Sequence, residues 1–154
     1  MNTVITAFMG KQVSLDVLCQ ESDVISVHAR LTSENKGLIG PAEFKRMKPT
    51  AYLFNTARAD IIDETAFIEA MQRGRIAGAA LDVFWAEPLP PGSPLLQLDN
   101  LTITGHLAGG TIDAFHNSGE LLVNGVLDFL IHGKTKLVVN PESLSRRKVP
   151  GSQA

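Results

Sequence analysis

The chain of 154 residues is the size of one domain, or of part of a larger one, and too short for an ordinary two-domain enzyme. Its 14 basic and 16 acidic residues leave a net charge of −2, which argues against nucleic acid or an anionic membrane surface held by charge. With 44% hydrophobic and 19% charged residues it is too apolar for a disordered chain, and the single Cys19 excludes an internal disulfide and a cysteine-based metal cluster.

Residues 1–13 form an ambiguous N-terminal segment in which 4–8 suit a strand. Ser14 ahead of Leu15 and Leu18 predicts a short helix capped by the serine. Residues 24–28, VISVH, are a β-branched run of the kind found in buried strands. A polar loop leads to Gly40, Pro41 suits a first helical position, and Pro49 stops the helix expected over 41–47. A second strand is expected over 51–55. Asp63 then caps a helix in which Ala66, Phe67, Ala70 and Met71 recur at helical spacing, and Gly74 ends it. Residues 76–83, IAGAALDV, read as a third strand. Pro88, Pro90, Pro91 and Pro94 make 85–100 too proline-rich for regular structure. A fourth strand over 101–104, a loop to Gly110 and a long helix over 113–131 follow, with one more strand suited to 136–140 and a polar, basic tail from about 143.

Continuously apolar strands alternating with helices or long loops predict an α/β fold, a parallel sheet covered on both faces. The sequence has no apolar run long enough for a membrane span and no secretory signal after Met1, so a cytoplasmic location is expected.

Ligands of open parallel sheets bind beyond the carboxyl ends of the strands. His28 and Arg30 follow the first strand; Thr56, Ala57 and Arg58 follow Asn55 of the second. Asp82 ends the third, with Glu87 just beyond, and His106 follows the fourth. Arg58, Glu87 and His106, each from a different strand end, are placed to converge on one crevice. A carboxylate beside a histidine favours the protonated ring, which can then deliver a proton near neutral pH. An arginine fork suits a carboxylate and polarises a neighbouring carbonyl. Together the three suit reduction of a 2-oxo acid, with Arg58 orienting it, His106 protonating its oxygen and a cofactor supplying hydride.

Each residue also has a plainer reading. Arg58 and Glu87 suit solvated loop charges, and His106 suits a turn. His28 suits a strand-end cap as well as a cofactor contact. Asp82 ends an apolar strand, where an unpaired carboxylate is costly, so it calls for a polar partner or a ligand. His116 and His132 read as surface residues and Cys19 as a packed thiol. No HExxH or CxxC spacing is present, and no metal site is expected.

The stretches SLDVLCQESDVISVH, LTSENKGLIG and MKPTAYLFNTARADIIDETAFIEAMQRGRIAGAALDVFWAEPLPPGSPLLQLDNLTITGH, followed by LAGG, resemble the D-isomer-specific 2-hydroxyacid dehydrogenases over residues 14–142. The ordered set NTAR, GAALDVF, EPLP and H-x-x-GG carries the resemblance. It implies a partial Rossmann-like (doubly wound) parallel sheet, the second half of a dinucleotide-binding domain, over 14–142. Helix 113–131 would link to a further domain, and 143–154 would be a flexible tail. By motif, the resemblance implies Arg58, Glu87 and His106 as catalytic residues. It implies His28, Thr56, Ala57, Arg58, Asp82, His106 and Gly109 as contacts to NAD or NADP. A 2-oxo or 2-hydroxy acid substrate and a possible homodimer follow from the same resemblance.

Several positions depart from the family pattern. Ala59 stands where a glycine is usual, Arg30 where a proline is, and Gly105 where a proline often precedes the histidine. The sequence contains no G-x-G, and so no glycine turn to seat a pyrophosphate on a helix N-terminus. The expectation is therefore a truncated oxidoreductase, weakly active or inactive alone. The alternatives are a non-catalytic dinucleotide-fold binding and dimerisation module, or a gene fragment without independent function.

Overall fold

The computed structural model describes residues 10–133 together with Val138, Asn140 and Glu142, and divides into two units after Ala108. The strand expected over 4–8 lies outside the described residues. So do the strand over 136–140 and the tail, apart from the three residues named.

In the first unit local sequence chemistry sets each boundary. Ser14 accepts from the Val17 amide at 3.3 Å and opens α1 (Leu15–Glu21). Strand β1 (Val24–Val27) follows. Pro41 begins α2 (Pro41–Arg46), where the Glu43 carboxylate reaches back to the Gly40 amide at 3.0 Å. The carbonyls at the end of α2 are met by Arg75, whose guanidinium donates to Phe44 O and Lys45 O. Strand β2 (Tyr52–Asn55) leads through a 3-10 turn (Ala59–Ile61) to α3 (Glu64–Gln72). Asp63 caps α3 by accepting from Ala66 N at 2.8 Å, and Gly74 leaves it at φ +59°. Strands β3 (Gly78–Leu81) and β4 (Leu101–Ile103) complete a four-stranded parallel sheet in the order β1-β2-β3-β4.

Ile25, Val27, Leu53 and Leu81 on one sheet face pack with Cys19, Phe44, Phe67 and Met71 of the three helices in a single core cluster. The parallel α/β sheet is the fold the sequence predicted; within the described residues of the first unit helices cover one of its faces. Burial alternates along β1 and β2, and Val24, Tyr52 and Phe54 on the opposite face are 59%, 49% and 39% exposed. The three helices all contribute to the one core, so an apolar run here marks a buried face plus an open one. Among the described residues β1 is an edge of the sheet. Gly78 is required by close approach, since a Cβ there would lie 2.9 Å from Asn100 O and 3.1 Å from the Tyr52 ring.

The proline-rich segment is more ordered than expected. Ser93 accepts from Leu95 N at 3.3 Å and opens a second 3-10 turn (Pro94–Gln97), which buries Leu95. Proline at the first position of such a turn lacks only an amide that would have had no partner.

In the second unit Thr111 caps α4 (Ile112–His132) by accepting from Ala114 N at 3.0 Å, and Gly133 closes it at φ +65°. Phe115, Leu121, Leu122 and Leu130 of this helix are exposed. Among the described residues no helix is long and apolar enough to cross a membrane.

Candidate functional site

The register sets Val27, Asn55, Leu81 and Ile103 side by side, so the residues after each emerge along one edge of the sheet. Two buried polar side chains stand there. Asn55, fully buried at the end of β2, accepts from Ala57 N at 3.0 Å and donates to Arg58 O at 2.9 Å. This side chain shapes the turn that carries Arg58, and sequence reading gave it no role. The available signal was a short amide side chain at the end of an apolar strand, which favours bonding to its own downstream backbone. The exposed Arg58 guanidinium donates to Ala57 O at 2.6 Å.

Asp82 follows β3 and is 3% exposed. Its Oδ1 accepts from the Thr104 hydroxyl at 2.6 Å and from Leu107 N at 2.9 Å, and its Oδ2 accepts from Ala108 N at 2.8 Å. The partner that its burial demanded is thus supplied within the chain. The Thr104 bond, first among the causes, and the two amides hold its pKa below the usual aspartate value, against the opposing effect of burial.

His106 takes a left-handed backbone, φ +59°, uncommon for a residue with a side chain. Its Nδ1 lies 2.8 Å from Glu87 Oε2, while Glu87 Oε1 accepts from Phe84 N at 2.9 Å. Hydrogen bonding to His106, then the Phe84 amide, and more weakly the charges of His106 and Arg58 lower the Glu87 pKa from its ordinary value. The structure therefore brings together Glu87 and His106 by contact, and Arg58 by its field on the same carboxylate.

The remaining positions are less tightly joined. His28, just after β1, bonds through Nε2 to Ser26 Oγ of that strand at 2.8 Å, and Thr56 is exposed beside Ala57. Gly109 opens the second unit. His132 pairs with Asp128 on α4 at 3.5 Å, and His116 is exposed. Cys19 is buried, and burial together with the charge of Glu43 pushes its thiol up to about 11, as befits a packed thiol. Among the described residues no group of three or more histidine, cysteine or acidic side chains could hold a metal ion.

The four-stranded parallel sheet, with a histidine–carboxylate pair and an arginine beyond its carboxyl edge, is a Rossmann-type α/β fold. The chain belongs to the D-isomer specific 2-hydroxyacid dehydrogenases, and residues 2–108 match the NAD binding domain of that family. It is 43% identical over 133 residues to a glyoxylate reductase of Thermofilum pendens, covering 86% of this chain and 39% of that protein. A D-isomer specific 2-hydroxyacid dehydrogenase from Lactobacillus delbrueckii ssp. bulgaricus, solved in its NAD complexed form, is 30% identical with a TM-score of 0.75; the match covers 83% of this chain and 43% of that one. A relative from Xanthobacter autotrophicus Py2, solved with NADPH and MES, is 33% identical with a TM-score of 0.71 over 84% and 53% of the two chains. The chain thus spans about two fifths of the length of the glyoxylate reductase it matches.

His28, Thr56 and Arg58 are all exposed beyond the carboxyl ends of the strands. The sequence offers no G-x-G turn to bring backbone amides up to a pyrophosphate.

Proposed function

We propose that this chain carries the catalytic side chains for hydride transfer between a nicotinamide cofactor, NAD or NADP, and a D-2-hydroxy or 2-oxo acid. The observation that supports this best is the 2.8 Å contact between His106 Nδ1 and Glu87 Oε2, on a carboxylate that also feels Arg58. Both partners are more than a third exposed, so the pair adds little to folding stability, and a chemical role accounts for it better.

The proposed roles follow from the bonding. Glu87 engages Nδ1 of His106, which leaves Nε2 to exchange a proton with the substrate oxygen. Arg58 receives the substrate carboxylate on its planar fork and polarises the adjacent carbonyl. His28, Thr56, Ala57 and Asp82 line the nicotinamide side. When bound, the cofactor supplies or accepts the hydride.

For the 154-residue chain alone we propose weak dinucleotide affinity and turnover near background, because it has no G-x-G turn. The test is oxidation of NADH and NADPH with glyoxylate or hydroxypyruvate, beside a calorimetric titration with NADH. Binding weaker than millimolar is expected, with any residual turnover lost in Arg58→Ala. Micromolar binding would overturn the weak-affinity reading. Residual turnover unchanged in Arg58→Ala would remove the site assignment.

A second reading, a module that pairs with another copy of itself, is favoured by the exposed Val24 on β1, which pairs with β2 alone among the described residues. It predicts concentration-dependent association in sedimentation velocity, reduced by Val24→Lys. A monodisperse monomer at all concentrations would exclude it.

A further inference from the structure

Asp82 stands where the resemblance implies a contact to the nicotinamide, yet its bonds run to the loop that carries His106. Leu81 and Ile103 are partners in the sheet, so Asp82 and Thr104 leave neighbouring strands side by side. Thr104 stays anchored there, its amide donating to Leu81 O at 3.0 Å. The three donors to Asp82 come from Thr104, Leu107 and Ala108, which flank Gly105 and His106 on both sides. His106 between them has φ +59°, and such a conformation persists only where the surroundings over-determine it. Gly105 adds backbone freedom immediately before it.

We propose that Asp82 is a positioning residue: by gripping the loop at Thr104, Leu107 and Ala108 it holds His106 in the left-handed conformation that presents Nδ1 to Glu87. A charged acceptor with two oxygens suits this task. Bonds to an ionised acceptor are the stronger kind, and one carboxylate takes three donors with no competing N–H. Asparagine has the same shape but one acceptor oxygen, so at least one of the three donors would face an amide NH2 instead. The inference rests on the proposed acid–base role of His106 and Glu87 for its meaning. The geometry it asserts is independent of turnover.

The test is NMR on the full chain without cofactor or substrate. In the wild type, the Leu107 and Ala108 amides are expected to be protected from hydrogen exchange, and the Glu87 side-chain carboxyl to titrate below the ordinary glutamate range. In Asp82→Asn, Glu87 is expected to return to the ordinary range, and the His106 Cα and Cβ shifts to lose their left-handed signature. Thr104→Val removes one donor only and should move both signals the same way, by less. A folded Asp82→Asn protein with wild-type Glu87 titration and wild-type His106 shifts overturns the proposal. If Asp82→Asn does not fold, Thr104→Val and the wild-type exchange rates decide. Unmoved signals in Thr104→Val together with unprotected Leu107 and Ala108 amides overturn it. No arm reads activity: an inactive chain with these shifts would refute the functional reading alone, and an active chain without them would refute this one alone.

Discussion

Phe67→Ala is expected to destabilise the fold by about 3–5 kcal/mol, the usual cost of emptying a fully buried aromatic site. Phe67 lies on α3 with no exposed surface, and its ring sits 6.2 Å from that of Phe44 on α2 and 5.9 Å from that of Trp85. Truncation removes the transfer energy of the ring and leaves a cavity between two helices and the loop after β3. The indole cannot simply move in to fill it, because Trp85 Nε1 donates to Ile62 O at 3.0 Å. Against a total stability of about 5–15 kcal/mol for an ordinary domain, such a loss leaves little margin. Urea unfolding followed by the fluorescence of Trp85, the single tryptophan, measures it. A change under about 1 kcal/mol would show that the helix layer is not packed on the sheet as described. The effect should reach the site as well, since Trp85 directly follows Phe84, whose amide donates to Glu87.

The readable parts of this fold were those set by neighbours in sequence. Ser14, Asp63 and Pro41 mark helix starts through groups one turn away, so the caps were visible without tertiary knowledge. Strand order could follow from alternation, but sheet cover could not. Val24, Tyr52 and Phe54 look as apolar as Ile25 and Leu53, and only the packing of the helices decides which face is closed. At the sheet edge, motif order pointed to Arg58, Glu87 and His106, whereas Asn55 and Thr104 went unassigned. Their importance lies in bonds to backbone atoms, and backbone atoms carry no signature in a sequence. The left-handed turn at His106 was hidden for the same reason. It is imposed on an ordinary residue from a strand 24 positions earlier, through Asp82.

His106→Ala is expected to abolish whatever reduction of glyoxylate or hydroxypyruvate the chain retains, since a positioned acid–base group contributes about 10²–10⁴-fold. The contribution belongs to proton transfer, so it should appear in kcat more than in KM. Glu87 should govern how the rate responds to acid. Its pKa is held down by His106, by the Phe84 amide and by Arg58. A carboxyl with a lowered pKa stays ionised further into acid, so the pairing is present at neutral pH and is lost only as pH falls through that lowered value. The acid limb of kcat/KM is therefore expected below the ordinary glutamate range, about 4.3. Glu87→Gln removes the titrating group while keeping a hydrogen-bond acceptor for Nδ1, and so should lower the rate less than His106→Ala and abolish that limb. Rate profiles from pH-jump assays, limited to the range where Trp85 fluorescence reports the folded chain, measure both effects. An unchanged acid limb in Glu87→Gln would assign the limb to another group. A wild-type rate in His106→Ala would remove the proton donor from the proposed chemistry, leaving the Glu87–His106 contact as a loop bond and nothing more.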